Sequence, residues 1–243
     1  MIAMTHARTA HNSDSRSEPA RSVALGTFLV IEALLPFAPL AILGPAIGWP
    51  QSLGNPAAAQ LSAIAANADT VAFGYGVYLL YSILIAPLMI ALAWRLLGGL
   101  QRPLAATVAA FAALSVLARA IGILRWLTVM PVLAAAHASA EPAGRAQIEM
   151  LFNALNAYGG GVGEVLGVSL FMAASLGILS VAALAMRSMP RVLAGLGLLA
   201  SVLLAALALP AFGLPGLVPV VVAVSVLSIW MLAVGVWMFI RRH

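Results

Sequence analysis

The sequence has no cysteine, no lysine and few charges of either sign. Without cysteine there is no disulfide, no thiolate nucleophile and no sulfur ligand for a metal. All twelve basic residues are arginine, and with seven acidic ones they leave only 8% of the 243 residues charged. A soluble domain carries about 25%, because its whole surface must be solvated by water. This chain cannot cover such a surface, so its main solvent is expected to be lipid. The formal charge of +5 is dispersed over helix ends and short turns, with no basic patch interleaved with aromatics. Nucleic acid is therefore not an expected partner. Missing lysine beside abundant Ala, Gly and Arg fits the codon bias of a GC-rich bacterium.

What is present is apolar chain. Hydrophobic residues make up 63%, and the mean hydropathy is +1.08. A helix needs about 20 apolar residues to cross a bilayer. Six stretches qualify: Val23–Leu43, Val71–Leu97, Ala105–Leu133, Val162–Met186, Val192–Leu209 and Leu217–Ile240. Lipid offers backbone groups no partners, so each should be helical. The expected fold is all-α, a polytopic bundle of six transmembrane helices over 23–243. Residues 1–22, "MIAMTHARTAHNSDSRSEPARS", read as a disordered tail too polar for a cleaved signal.

Arginine positions orient this bundle, because cytoplasmic loops carry the excess of basic residues. Arg8, Arg16, Arg21, Arg95, Arg102, Arg187, Arg191, Arg241 and Arg242 fall on one side, and Arg145 alone on the other. Both termini are expected in the cytoplasm of a bacterium whose inner membrane holds the protein. Trp94 and Trp237 suit an inner aromatic belt, and Trp49, Tyr75 and Tyr158 an outer one.

Two outer connections carry helical patterns. "NPAAAQLSAIAANADT" opens at Pro56, and Asp69 or Thr70 is positioned to cap the second span. "EPAGRAQIEMLFNALNAY" opens at Pro142 and places Ile148, Leu151, Phe152 and Leu155 on one face. Both read as short amphipathic helices lying on the outer surface and feeding a span. A shift of 87 residues aligns "AQL" at 59–61 with "AQI" at 146–148, Gly74 and Gly76 with Gly161 and Gly163, and Pro103 with Pro190. Spans two and three would then repeat as spans four and five.

Four charges lie inside spans: Glu32, Arg119, Arg125 and Glu164. Intramembrane charges are costly and mark bundle interiors, cavities or one another. Arg125 stands 23 residues beyond Arg102, and Glu164 stands 23 before Arg187. At about 1.5 Å per residue both sit roughly 34 Å above those anchors, which makes them the natural ion pair. Glu32 falls near mid-membrane, and Arg119 can snorkel toward it. Pro36 withholds the N–H that would meet the carbonyl of Glu32, leaving either a plain kink satisfied by a neighbouring helix, proline being common in membrane helices, or an oxygen-rich break of the kind that holds protons or cations in transporters.

Gly159, Gly163 and Gly167 form a stripe for close helix packing, with Glu164 on its flank. "GGGVG" lacks the Lys-Ser/Thr and the preceding strand of a phosphate loop. Paired with Arg125, Glu164 stays charged and locks two spans together; unpaired, burial favours its neutral form and lets it exchange protons. Tyr75, Tyr78, Tyr81 and Ser82 give the second span a partly polar face, for a small cavity or for aromatic packing.

Three stretches, "GLQRPLAATVAAF", "AYGGGVGEVLGVSLFMAASLGIL" and "MPRVLAGLGLLA", resemble the bacterial six-helix membrane proteins of domain-of-unknown-function family 4386. The resemblance runs from about Val23 onward. Glu164, Pro190, Arg191 and Leu193 occupy its glutamate and "LPR-x-L-G"-like positions. Asn156 stands where many members have histidine, and Ala194 where the turn usually has glycine. The resemblance implies fold and topology and brings no activity.

His6, His11 and His243 lie in tails and His137 in an outer connection, so no span offers an axial haem ligand. There is no H-E-x-x-H, no paired-aspartate motif and no Ser–His pair. No enzyme, cofactor or metal is expected. Two functional classes remain. One is a small proton-linked transporter or permease using Glu164, Glu32, Arg119 and Arg125. The other is a membrane-embedded regulatory or assembly partner with purely structural charges. Expected partners are lipid and either a second copy or another membrane protein; a small-molecule substrate is not specified.

Overall fold

The computed structural model describes residues 22–241. The predicted tail, with Arg8, Arg16 and Arg21, and the C-terminal Arg242 lie outside the described residues, save that Ser22 already begins a helix.

Every regular element described is helical. They are α1 (22–34), α2 (Phe37–Ile47), α3 (Ala57–Ala66), α4 (Ala68–Leu97), α5 (Pro103–Leu127), α6 (Val129–Ser139), α7 (Pro142–Gly160), α8 (Met172–Ala185), α9 (Arg191–Ala206) and α10 (Val220–Ile240). A π-helical segment, Gly161–Phe171, joins α7 to α8. Five helical stretches are long and apolar enough to cross a membrane: Ser22–Ile47, Ala68–Leu97, Pro103–Ser139, Pro142–Ala185 and Val220–Ile240. The chain is thus a multi-pass membrane protein. The sixth predicted span is α9, which has 16 residues. That length reaches about 24 Å, short of a hydrocarbon core of about 30 Å.

Proline and glycine set the breaks. Pro36 separates α1 from α2, where Ala38 N–H bonds back to the Leu35 carbonyl at 3.1 Å. Pro131 lies in the first turn of α6, and the helix interrupts at Thr128 just before it, as a proline that opposes the carbonyl four residues earlier requires. Gly98 and Gly99, at φ 79° and 103°, close α4 in a conformation that favours glycine, and Pro103 starts α5.

Two hydrogen bonds bring both described ends of the chain to one end of the bundle. Arg95 at the end of α4 donates to Ser22 Oγ at 3.0 Å. Arg241 at the end of α10 donates to the Ser188 carbonyl, in the α8–α9 turn, at 3.3 Å. The main core, around Leu88, Leu92, Ala112, Leu176 and Trp230, fills this half. A second core, around Leu61, Ile64, Tyr75, Met130 and Phe152, fills the other half, where α3 packs on α6 and α7.

Both outer connections are helical and start at the predicted prolines. The second feeds its span directly: α7 runs without a break into the π segment and α8. Phe152 on its predicted face is fully buried, and Ile148 and Leu155 pack beside it, but Leu151 is exposed. Neither Asp69 nor Thr70 caps α4, whose N-cap is Asn67. His137, predicted in a connection, is buried on α6 and lies 2.9 Å from Glu149 of α7. The proposed repeat matches the helix ends to within a residue or so: α4 ends at Leu97 and α8 at Ala185, while α5 starts at Pro103 and α9 at Arg191.

Candidate functional site

Between Gly161 and Phe171 the long fourth helix widens to i→i+5 hydrogen bonding, a geometry that concentrates at functional positions. The predicted glycine stripe faces α5. A Cβ on Gly163 would lie 3.1 Å from the Gly122 Cα, one on Gly167 2.7 Å from the Arg119 Cγ, and one on Gly159 would meet the Arg125 side chain. Glycine therefore permits a backbone crossing at Gly122–Gly163 and makes room for an arginine stem on either side of it. Ser115 Oγ donates to the Gly167 carbonyl at 2.8 Å, and Ser169 Oγ to the Glu164 carbonyl at 2.9 Å.

Arg125 and Glu164 do not form the expected pair. Arg125 donates through Nε to Asn156 Oδ1 at 3.2 Å and through Nη1 to the Gly122 carbonyl at 2.6 Å. Its guanidinium lies 5.4 Å from the Trp126 ring centroid. Among the described residues, no ion pair within 4.0 Å joins it to Glu164. The register explains this. Arg125 is level with Gly159, whereas Glu164 follows Gly163, which is level with Gly122. A π turn holds more residues than an α turn, so a count at the α rise places Glu164 too high.

Glu32 and Arg119 occupy the bundle interior. Glu32 is 0% exposed, and neither carboxylate oxygen has a hydrogen-bond partner. Arg119 is 4% exposed, its Nε and Nη1 are unpartnered, and its guanidinium lies 5.1 Å from the Tyr81 ring centroid. The two charges are within electrostatic range of each other without a contact at 4.0 Å. The arginine reaches toward the glutamate as its position implies, yet packs on tyrosine.

These groups border a cavity of about 660 Å³, within the roughly 300–1,000 Å³ usual for ligand sites. One wall is polar: Tyr75, Tyr78 and Tyr81 of α4, Arg119 and Arg125 of α5, and Glu164 of the π segment. Glu164 is exposed on this wall. Tyr75 stacks on Trp126 at 4.8 Å with 4° between planes, and Tyr78 meets Trp49 edge-on at 5.8 Å. The opposite wall, from Phe37 and Leu40 to Leu207, Val220, Val221 and Val224, is apolar. Glu32 does not line the cavity and sits behind Arg119. Gly122 and Asn156 went unrecognised as parts of the site. Gly122 was readable, lying three residues from each arginine on one helical face; Asn156 was visible only as a departure from a family pattern.

The chain belongs to the family described as "Domain of unknown function (DUF4386)", whose model matches residues 24–241. The comparisons with curated proteins and with solved structures found no match.

Proposed function

We propose that this DUF4386 protein crosses a bacterial inner membrane six times, with both termini in the cytoplasm, and works as a small proton-linked transporter or permease. Support for the topology is that both described ends share one end of the bundle, where Arg95, Arg102, Arg187, Arg191 and Arg241 gather, as basic residues do on the cytoplasmic side. In this reading α9 spans by thinning or distorting the bilayer around it.

The observation that carries the transport reading is Glu164, unpaired on the wall of a ligand-sized cavity beside two arginines. A carboxylate kept there without a contact partner costs the fold free energy, which a role in binding or proton exchange accounts for. The alternative, a regulatory or assembly partner with purely structural charges, leaves both the cavity and the unpaired carboxylate without a use.

Proteoliposomes containing a trapped pH indicator test it. Pools of small solutes added outside are expected to drive proton movement with the wild type and not with Glu164→Gln. Solute binding with no proton or solute flux in any pool would sink the transport reading.

A further inference from the structure

The two walls of the cavity differ in chemistry, and the difference specifies an occupant. The polar wall holds Arg119 and Arg125 against one carboxylate, Glu164. Arg119 is nine-tenths buried with two unpartnered donor nitrogens; Glu32 behind it is within electrostatic range but bonds neither of them, so these donors are left unmatched by protein acceptors. Facing it, the apolar wall carries no charged group.

On that apolar wall Phe37, Leu40, Val220 and Val221 line the cavity and are 52%, 42%, 57% and 66% exposed. Toward the arginine-rich end α1 and α10 close together: a Cβ on Gly26 would lie 3.0 Å from the Gly235 carbonyl oxygen. Farther along, past the Pro36 break, α2 and the start of α10 both line the cavity and do not pack closely on each other. The seam between them is shut at one end and open at the other.

From this geometry we infer that the cavity takes a single-chain amphiphile with an anionic head group, a carboxylate or a phosphate, which enters from the bilayer between α2 and α10. The head group lies against Arg125 and Arg119, where charge-assisted hydrogen bonds to anionic oxygens are strongest. The tail lies on Phe37, Leu40 and the start of α10. Glu164 opposes the anion while ionised, so the anion binds best when that carboxyl carries a proton. The inference rests on the proposed small-molecule role of the same cavity and names its substrate class.

Tryptophan quenching by brominated probes tests it in nanodiscs, with Trp94→Phe and Trp237→Phe as background so that Trp49 and Trp126 on the cavity wall report, beside a constant signal from Trp230, which is fully buried in the core and away from the cavity lining. The probes are 11-bromoundecanoate, 11-bromoundecyl phosphate, 11-bromoundecanol and 11-bromoundecyl-trimethylammonium. Saturable quenching by the carboxylate or the phosphate is expected, at least tenfold tighter than by the alcohol or the ammonium; whichever anion binds tighter identifies the source as fatty acid or phosphate-headed lipid. Arg125→Gln is expected to weaken it about tenfold and Glu164→Gln to strengthen it. Val221→Phe, on the exposed rim and outside the core, is expected to slow binding several-fold. Equal binding of alcohol and anions, preference for the ammonium with loss in Glu164→Gln, or unchanged rates in Val221→Phe would each overturn the inference. Proton-linked flux of a tailless hydrophilic solute without amphiphile binding would overturn it and leave the transport reading standing. Failure of both assays would remove both.

Discussion

Arg125 has a charged and a neutral neighbour on the adjoining helix, and it bonds the neutral one, Asn156. A buried guanidinium needs acceptors with good geometry more than it needs a net countercharge, and Asn156 with the Gly122 carbonyl supplies them. Histidine, which the family resemblance places at this position, offers a ring nitrogen acceptor in its neutral form and so suits the same arginine. Double-mutant cycles distinguish the two neighbours. Arg125→Gln with Asn156→Ala is expected to couple by about 0.6 kcal/mol or more, the average for polar pairs between membrane helices. Arg125→Gln with Glu164→Gln should fall below that value. Unfolding free energies in nanodiscs check it, and a coupling above about 1 kcal/mol in the second cycle would contradict the absence of contact.

The fourth helix combines two kinds of glycine. Those of the stripe are packed, whereas Gly161, at the start of the π segment, has nothing within 4 Å of a Cβ and an ordinary helical φ of −56°. Gly122→Ala forces a Cβ to 2.7 Å from the Gly163 Cα and 2.9 Å from the Gly159 carbonyl oxygen. Both are backbone atoms, so the helices must move apart, and a loss of about 1–3 kcal/mol is expected. Gly161→Ala meets no neighbour and reduces backbone freedom in the unfolded chain, so a gain of about 0.5–1 kcal/mol is expected. Thermal unfolding of both variants checks the contrast. A destabilising Gly161→Ala would show that the π segment needs glycine for its own conformation and not only for packing.

Because the chain contains no cysteine, single cysteines report its path through the membrane without a background. Gln101→Cys lies in the α4–α5 turn, Ser139→Cys at the end of α6, and Leu214→Cys beyond α9; all three positions are exposed. If the 16-residue α9 crosses, Leu214→Cys reacts with an impermeant maleimide from the same side as Ser139→Cys and opposite to Gln101→Cys. Reaction from the side of Gln101→Cys would make α9 a hairpin arm that does not cross and would place the two termini on opposite sides. Six crossings keep the arginine-rich turns together, so the same labelling also tests the orientation.

Membrane residence, the helical class and five of the long helices were legible in composition and run length, because lipid allows an apolar chain of this length little besides helix. The helix breaks at Pro36 and after Gly98 were legible as well, since proline and glycine act locally. So were the glycine stripe and its placement against another helix, because four-residue spacing stays on one face. The partners of the charges were not. Whether Glu164 meets Arg125 depends on a register of a few ångströms between two helices, and the π turns shift that register without any mark in the apolar pattern. Of the cavity only one side was legible, in the polar face of Tyr75, Tyr78 and Tyr81; its apolar side exists because α2 and α10 diverge while α1 and α10 touch at Gly26 and Gly235, a relation between segments some two hundred residues apart. Local chemistry determined which residues are costly to bury; the packing of distant helices decided which of them are left unpaired beside open space.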